Sequence, residues 1–167
     1  MNKQEPEIKD LSKFLNLFNK ESDRGAALIA ASFLDNSLKE IIEVFLIDNK
    51  SSKELIDGFN APIGTFSSRI NLANSLGLLM EDEYLLLHSL RKIRNEFGHE
   101  WDDVTFDSKT IQNKIQNLKW YGPEDITERT NKAIFNFAVV KLLANLLWRK
   151  RLVQKQRLTK KNWLDYE

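Results

Sequence analysis

The sequence predicts an all-α protein built as a single bundle of six or seven helices. Only six Gly and three Pro punctuate its 167 residues, so chain reversals are few. Long stretches rich in Leu, Ile, Ala, Lys and Glu repeat their apolar residues at helical spacing. At this length one hydrophobic core is large enough to stand without staples. The chain has no cysteine, which excludes a disulfide framework and thiolate chemistry.

The first helix is expected from about Ile8 to Phe18, with Leu11, Phe14 or Leu15, and Phe18 on its apolar stripe. Glu21 to Gly25 opens a longer one, its acidic first turn complementing the helix dipole. Along it Ala27, Ala31, Leu34, Leu38, Ile41 and Phe45 form one row, and Ala26, Ala30 and Phe33 a second. A helix apolar on that many sides sits at the centre of a bundle. Ser51 begins a short helix that ends near Gly58. Residues 58–64 read as a loop, because two Gly, an Asn and a Pro fall within seven positions. Thr65 or Ser67 caps the next helix, whose Phe66, Ile70, Ala73 and Leu76 face inward.

Tyr84 to His99 is the stretch the chain is organised around. Leu86, Leu90, Ile93 and Phe97 fall in one narrow sector of a helix. The other side gathers Arg91, Arg94, Asn95, Gly98 and both histidines, His88 and His99. A solvated face would instead mix Glu and Lys in i, i+4 pairs, so this side reads as an interaction surface. Residues 101–107 are acidic and irregular, and a short helix follows over 108–118. Trp120 to Pro123 is a break. The last long helix starts at Asp125 with Glu128, or at Thr127 with Thr130, and runs through Trp148 into a basic end.

Charge is unevenly spread. Residues 1–140 hold 17 Lys/Arg against 22 Asp/Glu, and residues 141–167 hold eight against two. Arg149, Lys150, Arg151, Lys155 and Arg157 lead the basic tail. Acidic proteins or RNA are its candidate ligands, but the plainer reading is a soluble, frayed helix end that suits the macrodipole. On that reading, truncation after Arg151 leaves the fold intact. Glu21, Asp23 and Arg24 are expected to form an ion-pair cluster, with Arg91 or Arg94 as its partner. His99, Glu100, Asp102 and Asp103 do not have the spacing of a metal site, and neither a metal nor a cofactor is expected. The first ten residues are polar and no apolar run is long enough to span a bilayer. The expectation is a soluble, cytoplasmic protein with no membrane partner.

Three pieces carry a resemblance. E-S-D-R-G-A-A-L-I-A-A-S-F-L-D (21–35), G-F-N-A-P-I-G-T-F-S-S-R-I (58–70) and R-K-I-R-N-E-F-G-H (91–99) are similar, in order and spacing, to the mannitol operon repressor family. The likeness covers most of residues 14–150 and departs from the family's motif at Gly98, where alanine is usual. It implies a compact all-α regulator of bacterial mannitol uptake and metabolism. Arg94 to His99 also resembles the R-x4-H signature of the HEPN superfamily, which implies a HEPN-like bundle. Some HEPN members are metal-independent endoribonucleases that join motifs from two protomers. Carried over, Arg94 would hold the scissile phosphate and His99 would move the proton, with Asn95 between them.

Direct DNA reading is not expected. The would-be helix-turn-helix has a long connection, and its second helix offers one basic residue, Arg69, on an acidic body. The leading expectation is therefore a transcriptional regulator acting through a protein partner in transcription or sugar-uptake control. It is expected to be a homo-oligomer, with a dimer favoured. Its surface would combine Arg91, Arg94, Asn95, Gly98 and His99 with Phe59, Asn60 and Pro62 of the neighbouring loop. The alternative is the endoribonuclease.

Overall fold

The computed structural model describes residues 5–100 and 102–164. Eight α-helices account for the regular structure of these residues: α1 (Pro6–Phe18), α2 (Asp23–Phe45), α3 (Lys50–Ile56), α4 (Phe66–Ser75), α5 (Glu81–His99), α6 (Lys109–Ile115), α7 (Asn131–Leu146) and α8 (Arg149–Gln154). The all-α expectation holds, with one segment more than expected because the last helix breaks in two.

Local chemistry sets most of the helix starts. Pro6 opens α1, where a missing N–H costs nothing. Ser22 caps α2 by accepting from Gly25 N at 3.1 Å, and Asn49 caps α3 through Ser52 N. Thr65 and Ser68 form a reciprocal capping box on α4. The Glu83 side chain accepts from Met80 N at the head of α5. Thr130 caps α7 by accepting from Ala133 N, so that helix starts later than Asp125 or Thr127 would have placed it.

Helix α2 is the axis of the bundle, packing against α1, α3, α4, α5, α7 and α8. Ala26, Ala27, Leu34, Leu38, Ile41 and Ile42 are at most 1% exposed along it; the alanines let neighbouring backbones approach. On α5 the expected seam of Leu86, Leu90, Ile93 and Phe97 is buried, joined by Leu87 and Glu83. Phe106 comes from the stretch expected to be acidic and irregular, yet it is buried. Its ring lies edge-on to Phe97 (5.0 Å) and tilted against Phe135 (4.7 Å), tying α5 to α7.

The basic end departs most from expectation. The chain turns at Leu147 and Trp148, so α8 lies against α2 rather than extending α7. Arg149 reaches the buried Glu83 carboxylate and Lys150 pairs with Glu40 at 2.9 Å. Arg151 grips Glu5, just ahead of α1, and Glu7 in its first turn, which holds the Glu7 carboxyl below its ordinary range. Val153 is buried, Arg157 donates to Val44 O, and Leu158 N donates to Phe45 O. Four of the five leading tail residues are thus bonded within the protomer; Lys155 is exposed. The tail is a packed element, not a frayed end.

Candidate functional site

Helix α5 places Arg91, Arg94 and Asn95 along one wall of a groove of about 400 Å³. Leu28, Ala31, Ser32 and Asp35 of α2 form the opposite wall, and Thr65, Phe66 and Ser67 at the head of α4 close one side. The periodicity that buries Leu90, Ile93 and Phe97 turns these three polar residues the other way. The α2 and α4 contributions were not legible in the sequence, since they depend on how the helices cross.

Neither arginine has an acidic partner among the described residues. Arg94 Nη1 makes one long contact with Asn95 Oδ1 at 3.3 Å. The Arg91 Nε is buried and has no hydrogen-bond partner in the protein. Glu96, the acid nearest them in sequence, is paired with Lys114 of α6 at 3.0 Å. The expected partnership with Glu21, Asp23 and Arg24 does not form. Asp23 pairs with Lys132 at 3.0 Å and accepts from Phe106 N, while Lys132 also donates to Glu21 O. Arg24 donates to the carbonyls of Glu100 and Asp102 at 2.8 and 2.6 Å. This cluster clamps the head of α2 onto the segment after α5 and the start of α7. Its work is structural, and it leaves the α5 arginines unconsumed.

The remaining predicted residues divide. Gly98 and His99 are exposed at the end of α5 and do not line the groove. A Cβ on Gly98 would meet only Arg94 Nη1, at 3.9 Å, so the guanidinium leans over that glycine without needing it. His88 faces α4, with Nε2 3.2 Å from Asn71 Oδ1 and its ring edge-on to Tyr84 at 4.6 Å. Partial burial, followed by the charges of Arg91 and Lys92, lowers the His88 pKa. The two histidines therefore occupy different surroundings and do not converge.

The loop between α3 and α4 presents Phe59, Asn60 and Pro62. Phe59 is 98% exposed. Positive φ at Gly58 (118°) and Asn60 (61°) turns the chain sharply around it. The loop is tied down from beneath by Arg69. That guanidinium donates to Ile63 O and Ile56 O and pairs with Asp35 Oδ2 at 2.8 Å. Arg69 is therefore buried, and the basic residue on which DNA reading by α4 would rest has no access to a phosphate. Loop and groove are one surface, joined through Asp35 and the start of α4.

No protein-family model matches the chain, and no curated protein sequence matches it. Among solved structures, the chain is similar to one in the X-ray structure of the MtlR-HPr complex from Escherichia coli. The TM-score is 0.63 at 20% identity, over 86% of this chain and 98% of the other. The fold is MtlR-like. The likeness spans most of this chain and nearly all of the other. No helix among the described residues is long and apolar enough to cross a membrane.

Proposed function

We propose that this protein is a bacterial regulator that works by binding a partner protein of the HPr kind rather than by reading DNA. The observation that carries the reading is the MtlR-like fold across 86% of the chain, seen in a neighbour that is itself part of a protein complex. The burial of Arg69 supports it, because it removes the phosphate contact a helix-turn-helix would need. On this reading the protein is cytoplasmic, resembles the mannitol operon repressor in its regulatory role, and self-associates as a dimer. The partner surface is the exposed Phe59 with Asn60 and Pro62, continued by Arg91, Arg94, Asn95, Gly98 and His99. An exposed aromatic on a loop that Arg69 ties down at Ile56 and Ile63 is the kind of residue that anchors an interface.

Calorimetric titration of the full chain with HPr tests the reading. Saturable binding is expected, weakened about tenfold or more by Phe59→Ala. Absence of binding at about 100 μM protein would overturn it. So would cleavage of mixed RNA in EDTA that His99→Ala abolishes, which is the outcome the endoribonuclease alternative requires.

A further inference from the structure

Three buried side-chain polar atoms lack a hydrogen-bond partner among the described residues: Asp35 Oδ1, Arg91 Nε and Asn136 Oδ1. Two of the three belong to residues that line the α2–α4–α5 groove. A buried donor and a buried acceptor left unpaired each cost free energy, and such groups call for a specific explanation. Coincidence in one cavity with a second arginine that has no acid partner supplies one.

We propose that this groove binds a small hydroxylated phosphate monoester, with its phosphate held by Arg91 and Arg94. The charge balance favours such a group. A monoester carries nearly two negative charges at neutral pH, and two guanidiniums three residues apart on one helix face match it. The nearby acids do not cancel them. Glu96 is turned to Lys114, and Asp35 is neutralised through its other oxygen by Arg69. At the head of α4, Ser68 N is used by the Thr65 cap, whereas the N–H groups of Phe66 and Ser67 precede any intrahelical acceptor. The positive end of that ten-residue helix thus faces the same cavity.

The inner oxygen of Asp35 explains the hydroxyl. It is an acceptor beside the anion site, so a ligand hydroxyl can donate to it once the side chains adjust around the bound molecule. Neither orphaned atom exceeds 1 Å² of exposure, so the guanidinium ends of the arginines make the first contact. A volume of about 400 Å³ suits a small metabolite. The groove shares Arg91, Arg94 and Asn95 with the proposed partner surface, but the ester is titrated into the chain alone, so its binding is read independently of any HPr-type partner.

Titrating the full chain with ribose 5-phosphate, inorganic phosphate, ribose and a short RNA at matched ionic strength tests the proposal. Saturable one-to-one binding of ribose 5-phosphate is expected, weaker binding of inorganic phosphate, and none of ribose. Arg91→Gln and Arg94→Gln should each weaken the ester at least about tenfold, while Lys92→Gln, exposed on the same helix, changes little. If Arg91→Gln melts early, the exposed Arg94→Gln carries the comparison. The proposal falls if the ester does not bind or both arginine variants bind it as well as the parent. It falls equally if phosphate binds as tightly as the ester, or if the RNA binds and the ester cannot displace it.

Discussion

Arg149 forks onto the carboxylate of Glu83, with Nη2 at 2.8 Å from Oε1 and Nη1 at 3.0 Å from Oε2. Nη1 also donates to Leu78 O at 2.7 Å, and Glu83 Oε2 accepts from Met80 N. The pair joins the head of α5 to α8 across 66 residues of sequence. Glu83 is 1% exposed and Arg149 18%, so either charge left alone would be buried without its complement. Glu83→Gln or Arg149→Met should each destabilise the fold by about 3–5 kcal/mol. The double variant Glu83→Gln/Arg149→Met should lose less than the two singles combined, a difference that denaturant melts can measure.

The docked tail makes a second prediction. Truncation after Arg151 removes the buried Val153, the Arg157 bond to Val44 O and the Leu158 bond to Phe45 O. Burying a valine contributes about 1.5–3 kcal/mol by itself. The truncated chain should melt several degrees lower. An unchanged melting temperature would show that these contacts contribute nothing in solution.

Arg69 determines the order of the α3–α4 loop. Arg69→Leu keeps an apolar stem but removes the bonds to Ile56 O, Ile63 O and Asp35. Amide exchange over residues 57–65 should accelerate more than elsewhere, and proteolysis should begin near Phe59. Uniform acceleration across the chain would instead assign Arg69 to global stability.

The lowered pKa of His88 makes stability depend on pH. Between its folded pKa and the ordinary value near 6.5, the unfolded chain binds more protons than the folded one, so stability rises with pH. Acidification from pH 7 through this window should therefore lower the melting temperature. His88→Gln should flatten that part of the profile, leaving the carboxylate-driven loss at lower pH in place.

Gly98 and Gly122 should respond oppositely to alanine. At Gly98 the added methyl meets only Arg94 Nη1 at ordinary contact distance, and alanine favours the helix by up to about 1 kcal/mol. At Gly122 a Cβ would fall 2.3 Å from Trp120 Cζ2 and 2.8 Å from Phe137 Cδ2. Trp120 is held there by its bond to Pro123 O and the Arg129 cation over its ring. Gly122→Ala should destabilise, and thermal melts of the two variants would separate them.

Periodicity by itself determined a good deal of this protein. The apolar rows of α2, the seam of α5 and the loop at residues 58–64 follow from spacing and turn chemistry, which act within a few residues. The same spacing placed Arg91, Arg94 and Asn95 opposite the core. Tertiary structure alone decided which charges met. Arg149 and Glu83 lie 66 residues apart, Arg69 and Asp35 34 apart, and Asp23 finds Lys132 rather than either α5 arginine. Sequence separation carries no signature of such pairs. Their formation depends on where helices cross, and burial then makes an unmatched charge far more costly than it is on the surface. That is why the basic tail folds back onto α2, while two arginines in an open groove keep their charge available.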